Sequence, residues 1–176
     1  MAVWQWTLYL VPKNEVIKLF QTVPKFVDEE WFYENKWYQN CKPSVYETAF
    51  NLMLPREYDL RASSEVLSWG VNNDNEIYMC FQGEEVTELS FRINAKQVNM
   101  SFITSLVDFA SENNFLFWTL ENNTFIEPTL DTFLERFRQS RAMLFVQNQE
   151  GFFSDKNYLE GLQRKNLKKL ESDDLF

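Results

Sequence analysis

The sequence has no histidine and very little glycine. Its 176 residues include 0 His, 4 Gly and 2 Cys. Without histidine there is no imidazole to serve as a general base, to activate a serine or cysteine, or to bind a metal ion. The chain also lacks GxGxxG and GxxxxGK[ST], the glycine-rich motifs that bind phosphate groups. We therefore expect a protein that has no metal or cofactor and is not an enzyme.

Cysteine and long apolar runs are also scarce. Cys41 and Cys80 are too few for a structural zinc site and do not form a CxxC pair. Their number favours free thiols in a reducing compartment over a disulfide. The N-terminal residues lack the pattern of a signal peptide, and no run reaches the roughly 18 apolar residues of a membrane-spanning helix. These features predict a cytoplasmic protein that does not contact a membrane.

The charge is strongly negative and unevenly distributed. The formal net charge is −9. Residues 1–88 hold 7 Lys or Arg against 14 Asp or Glu, a net of −7, whereas residues 89–176 hold 10 against 12, a net of −2. Such a balance repels nucleic acid and attracts a cationic protein. The alternative interpretation is an acidic surface that only keeps the protein soluble.

Hydrophobic periodicity predicts the fold. Trp6, Leu8 and Leu10 alternate with polar residues, as in a half-buried strand, and three further strands follow between residues 66 and 93. The apolar spacing then predicts a helix over 99–113, packed against a strand over 115–120 and forming the core with it.

Short turns between neighbouring strands favour antiparallel pairing. We therefore predict a single α+β domain over residues 1–176, built on a mainly antiparallel sheet of four to six strands with helices packed on one face. Residues 155–176 have a weak helical pattern and are expected to form a frayed helical tail.

Several helix boundaries can be predicted from capping residues. Asn14, Asp28 and Asn99 are each expected to cap a helix, because their side chains can accept a hydrogen bond from a free backbone amide. Ser44 begins the sequence Ser-Val-Tyr-Glu, which matches a capping box. The polar residues 56–65 are expected to form a loop.

An acidic and aromatic segment is the main candidate for a binding surface. The aromatics between residues 31 and 38 do not fall on one helical stripe, so some of them must face away from the helix's main contact. Exposed aromatics rimmed by acids resemble an interaction hot spot, whereas the alternative is a segment buried between other elements. The predicted partner-binding residues are Asp28, Glu29, Glu30, Trp31, Glu34 and Trp37, with Glu84, Glu85 and Glu88 as a second patch.

The region of residues 66–150 contains a familiar order of short motifs. Trp69-Gly70 precedes a hairpin, Phe91-Arg92-Ile93-Asn94 precedes an amphipathic helix, and Ser140-Arg141-Ala142 precedes Phe145-Val146. This order resembles small bacterial immunity proteins of polymorphic-toxin and contact-dependent inhibition systems. The family has Arg-x-Asp where this chain has Asn94. The resemblance implies a cytoplasmic protein that binds one cognate toxin domain and blocks it, and it implies no catalytic residue.

The first hypothesis is therefore an acidic immunity protein that occludes a cationic toxin domain, such as a nuclease. The second is a small-ligand-binding module, because aromatics make up 17% of the residues and could line a pocket. The third is a hydrolase that uses a pair of carboxylates, although the sequence does not indicate which ones.

Overall fold

The architecture is built on one antiparallel sheet. The computed structural model describes residues 2–38, 41–57 and 65–154. Within these ranges the sheet has seven strands in the order β2-β3-β4-β5-β1-β6-β7, and all neighbours run antiparallel. The strands are β1 (Gln5–Pro12), β2 (Arg56–Glu57), β3 (Val66–Gly70), β4 (Glu76–Gln82), β5 (Glu85–Asn94), β6 (Phe115–Thr119) and β7 (Thr124–Ile126).

Helices occupy the connections between strands and the C-terminal part of the described chain. They are α1 (Lys13–Phe20), α2 (Glu29–Glu34), α3 (Pro43–Met53), α4 (Met100–Glu112), α5 (Leu130–Gln139), α6 (Arg141–Gln147) and α7 (Gln149–Ser154). None of the helices in the described ranges combines the length and apolar character that crossing a bilayer requires.

One face of the sheet carries the hydrophobic core. Trp6 of β1 packs against Phe133 of α5, with ring centroids 5.3 Å apart. Phe50 of α3 contacts Phe91 of β5 at 5.6 Å and Phe109 of α4 at 5.2 Å. Helices α3, α4 and α5 therefore cover this face, and the burial of their aromatic side chains stabilises the packing.

The predicted α+β fold class is confirmed, including its antiparallel sheet. The sheet has one strand more than the upper limit of the prediction, because β2 lies within residues 56–65, which were expected to form a loop. Its two residues are too few to show alternation, and they pair with β3 next to the hydrogen bond from the Gly70 amide to the Pro55 carbonyl oxygen. The predicted tail over 155–176 lies outside the described residues.

The core predicted around α4 and β6 is confirmed. Phe102, Leu106 and Phe117 are each buried. Two caps are confirmed as well: Asp28 accepts a hydrogen bond from the Glu30 amide at 3.0 Å, and Asn99 accepts one from an amide in the first turn of α4.

Two other predicted caps are wrong. Helix α3 begins at Pro43, one residue before the expected capping box, and Ser44 lies inside its first turn. Proline favours the first helical position because its φ is already helical and because no amide is left unpaired there. Helix α1 begins at Lys13, directly after Pro12, so Asn14 lies within the helix and does not cap it.

Asparagine occupies left-handed turn positions in this glycine-poor chain. Asn73, Asn114 and Asn123 have φ values of 68°, 56° and 54°, which asparagine tolerates better than most residues. Gly70 has φ 94°, and a Cβ atom there would lie 2.1 Å from the carbonyl oxygen of Asn75. Both the backbone conformation and the close approach therefore require glycine at this position.

Asn94 ends β5 in a network that uses both halves of its amide. Its Nδ2 donates to Asp74 Oδ1 at 3.1 Å, and its Oδ1 accepts from the backbone amides of Lys96 and Gln97. Aspartate at this position would place a carboxylate against Asp74 with no donor between them. Asparagine, which has both a donor and an acceptor, therefore suits this position.

Both edge strands of the described sheet are short. Edge strand β2 has two residues, both charged, and edge strand β7 has three residues, Thr124–Ile126. Pro128, which has no backbone N–H, follows β7 two residues after its end. The central strands are longer, with eight residues in β1 and ten in β5.

Candidate functional site

The aromatic segment expected to bind a partner contains only a short helix. Helix α2 ends at Glu34, and Asn35 has the extended conformation φ −91°, ψ 140°. The chain then turns inward, and Trp37 Nε1 donates to the Phe32 carbonyl oxygen at 2.8 Å. The aromatics do not fit one helical stripe because the later ones follow the helix and belong to the core. Tyr33 is the exposed aromatic of the described segment 31–38, with 49% of its surface accessible.

Tyr38 joins the two central strands where their ladder ends. The pairing of β1 with β5 ends at Tyr9 and Ser90. One step further, the Tyr38 hydroxyl donates to the Leu10 carbonyl oxygen and accepts from the Leu89 amide at 3.2 Å. The hydroxyl thus connects two main-chain groups that would otherwise lack a partner. Burial raises the pKa of Tyr38 well above its usual value, so the hydroxyl keeps the proton it donates.

The sheet face opposite the α3, α4 and α5 layer is polar. Cross-strand partners share a face, so the register Thr7–Arg92, Tyr9–Ser90 and Cys80–Glu88 places these side chains together. We call this surface the polar face. It is formed by Thr7, Tyr9, Glu76, Tyr78, Cys80, Glu88, Ser90 and Arg92.

Helix α2 packs against one end of the polar face. Phe32 stacks on Trp118 of β6, with ring centroids 3.7 Å apart and planes 6° from parallel. This contact fixes the next residue, Tyr33, beside Tyr9: the two hydroxyl oxygens are 2.7 Å apart, and the rings meet at 85°. An exposed tyrosine therefore borders the polar face, held by a buried aromatic stack.

Arg92 occupies the other side of the polar face. Its Nη1 lies 2.8 Å from Glu76 Oε2, and its guanidinium carbon lies 4.7 Å from the centre of the Tyr78 ring. The Glu76 side chain is buried and also accepts from the Asn73 amide at 3.1 Å. The buried carboxylate is thus neutralised and hydrogen-bonded, as a buried charge requires.

Glu88 differs from Glu76 because it has no ion-pair partner among the described residues. It is half-buried at the edge of the tyrosine pair. Burial raises the pKa of Tyr33, and the nearby carboxylates of Glu88 and Glu29 raise it further. Burial also raises the pKa of the Cys80 thiol, and the negative charge of Glu88 adds a smaller increase. These phenol and thiol groups therefore stay protonated at neutral pH.

Apart from Glu88, which lies on the polar face, the predicted site residues fall into three groups. The cap residue Asp28 is exposed, as are Glu29, Glu30 and Glu34 within α2. The negative charge of Glu29, like that of Glu88, raises the pKa of Tyr33. The other two groups are the hairpin acids Glu84 and Glu85 and the tryptophans Trp31 and Trp37.

The hairpin acids are exposed, but Glu84 forms an ion pair with Lys42 at 3.1 Å. Trp31 is half-buried against Phe20, at 4.7 Å between ring centroids. Trp37 is 3% exposed and offers a partner almost no surface. The structure thus brings Glu29 and Glu88 to one place and leaves the hairpin as a separate patch.

Apart from Glu88, the residues of the polar face were not predicted as a binding site from the sequence. Tyr9, Tyr78 and Arg92 alternate with core residues along their strands, so their shared face was readable from the period of two. Their proximity was not readable, because it depends on which strands become neighbours. Tyr33 carried no signal that separated it from the buried aromatics beside it.

Other features bear on the remaining hypotheses. Among the described residues, no group of three His, Cys, Asp or Glu side chains is placed to hold a metal ion. Several aromatics expected to line a ligand pocket pack against each other, as Phe32 does with Trp118. In comparisons with known proteins, no family model, curated protein or solved structure matches this chain.

Proposed function

We propose that this chain is a non-enzymatic binding protein that occludes a cationic protein, and that it acts in the cytoplasm as an immunity factor against a toxin domain. The observation that carries the proposal is the exposed Tyr33 beside the polar face, close to the carboxylates of Glu29 and Glu88, which form no ion pair with another described residue. Interface cores are enriched in tyrosine and arginine and depleted in lysine. Strands β1, β3, β4 and β5 contain no lysine.

The charge of the chain supports the same proposal. Toxins that act on nucleic acid need a cationic surface, because their substrate is a polyanion. An acidic inhibitor competes for that surface and is steered towards it during diffusion. The exposed acids of α2 lie next to Tyr33, so the groups that steer the partner adjoin the aromatic side chain that would be buried on binding.

The test uses the product of the gene adjacent to this one, purified as the toxin candidate. The double variant Glu29→Lys with Glu30→Lys should form the complex more slowly, and its difference from the wild type should shrink as salt is added. The matched control, Asp108→Lys with Glu112→Lys, makes the same charge change at exposed positions of α4, which packs on the other side of the sheet.

Stopped-flow mixing measures the association rate, and the toxin's own activity measures inhibition. Equal slowing by both double variants would show that only net charge matters. A candidate toxin that neither binds nor is inhibited would contradict the proposed function.

A further inference from the structure

The polar face contains two places where a tyrosine ring and a carboxylate lie together, and the chain's own arginine fills one of them. Arg92 stacks over the Tyr78 ring at 4.7 Å and pairs with Glu76 at 2.8 Å. Its Nη1 also lies 3.4 Å from the Tyr78 hydroxyl oxygen. The flat guanidinium group meets the ring and the carboxylate at once, as this side chain is suited to do.

The second place has the same kinds of group. Tyr9 and Tyr33 form two walls at 85° to each other, with ring centroids 5.9 Å apart. Glu88 lies two residues from Ser90, the cross-strand partner of Tyr9, so it is a diagonal neighbour of Tyr9 on the same face. No ion pair to Glu88 is formed within the described ranges.

The two hydroxyls of the tyrosine pair also retain hydrogen-bonding capacity. They are 2.7 Å apart, so one of them donates to the other. The pair still has one O–H and several lone pairs for a partner. Tyr33 is exposed, and Glu88 is half-buried, so both can be reached from solvent.

We infer that the corner formed by Tyr9, Tyr33 and Glu88 binds an arginine side chain of the protein partner. The guanidinium would stack on a tyrosine wall and pair with Glu88, as Arg92 does with Tyr78 and Glu76. Glu29 adds negative charge beside Tyr33. Arginine fits better than lysine, since a planar fork can contact the ring and the carboxylate together whereas an ammonium group acts as a point charge. This inference rests on the proposed function, because it names the side chain that the partner contributes.

The test uses two blocked peptides, acetyl-Gly-Arg-Gly-amide and acetyl-Gly-Lys-Gly-amide, titrated into the isolated protein and followed by NMR. The arginine peptide should give saturable shifts at the Tyr33 ring and the Glu88 amide. Its binding should be weakened about fivefold or more by Glu88→Gln, which removes the charge and keeps the shape. The matched control Glu112→Gln removes an exposed acid of α4 and should leave the shifts unchanged.

The lysine peptide should bind the corner more weakly than the arginine peptide. Equal binding of both peptides, or equal weakening by Glu88→Gln and Glu112→Gln, would overturn the inference. The outcomes also separate it from the proposed function. If the toxin binds the Glu88→Gln variant as tightly as the wild type, the arginine site is contradicted and the proposed inhibitory function stands. If the arginine peptide binds at the corner but no toxin is inhibited, the arginine site stands and the proposed function is contradicted.

Discussion

The hydroxyl of Tyr38 offers the sharpest test of how the two central strands are joined. Tyr38→Phe keeps the buried ring and removes the atom that connects the Leu10 carbonyl oxygen to the Leu89 amide. Both leucines are fully buried, so water cannot easily replace the lost partner. Leaving a buried main-chain group unpaired costs about 1–3 kcal/mol. Two such groups, partly relieved by movement of the strands, predict a loss of about 2–4 kcal/mol in the free energy of unfolding.

Urea unfolding, followed by tryptophan fluorescence and by circular dichroism, measures this loss. The control is Tyr33→Phe, which removes a hydroxyl bonded to Tyr9 at an exposed position and should cost less than about 1 kcal/mol. Amide hydrogen exchange at Leu89 should also become faster in Tyr38→Phe and not in Tyr33→Phe. If the two variants lose the same stability, the hydroxyl does not bridge the strands.

Four further results are expected. Leu106→Ala should lower the free energy of unfolding by about 2–5 kcal/mol. The control Leu52→Ala should lower it by less than about 0.5 kcal/mol, because the Leu52 side chain is 85% exposed. Equal losses would show that α4 is not packed as described. Gly70→Ala should sharply lower the melting temperature, because its Cβ would overlap a backbone oxygen; an unchanged temperature would contradict this. Excess EDTA should leave the melting temperature unchanged, and a fall of several degrees would reveal a bound metal. Burial raises the pKa of Glu121, whose carboxylate accepts a hydrogen bond from the first amide of α6. The stability that this group contributes is therefore present at acid pH and is lost as pH rises through its folded-state pKa. Glu121→Gln should remove that part of the pH dependence of stability, and a pH profile identical to that of the wild type would refute the assignment.

The sequence predicts those features of the fold that depend on neighbouring residues. The caps at Asp28 and Asn99 were predictable because each side chain bonds an amide two or three residues along the chain. The alternation of Trp6, Leu8 and Leu10 predicted both β1 and the side of it that is buried. Local rules failed where two of them competed, as when a proline at the first helical position replaced the expected capping box of α3.

The candidate site depends on features that no local pattern contains. Glu88 was predicted because it is acidic, yet its place beside Tyr33 follows from the position of β1 between β5 and β6. Trp37 was predicted as a contact residue because the length of α2 was unknown; a helix of six residues sends it inward instead. Burial of an aromatic residue is therefore decided by where the helix stops, which the amphipathic pattern does not specify.

The short edge strands affect how copies of this protein behave at high concentration. A neighbouring chain that added a strand to β7 could pair with only three residues, because Pro128 follows shortly after the strand ends. A strand added to β2 could pair only with the charged residues Arg56 and Glu57. Edges of this kind offer too few main-chain hydrogen bonds to begin a growing stack of sheets. The ten-residue strand that could sustain such growth, β5, already has a partner on each side. Concentrated samples should therefore resist fibril formation.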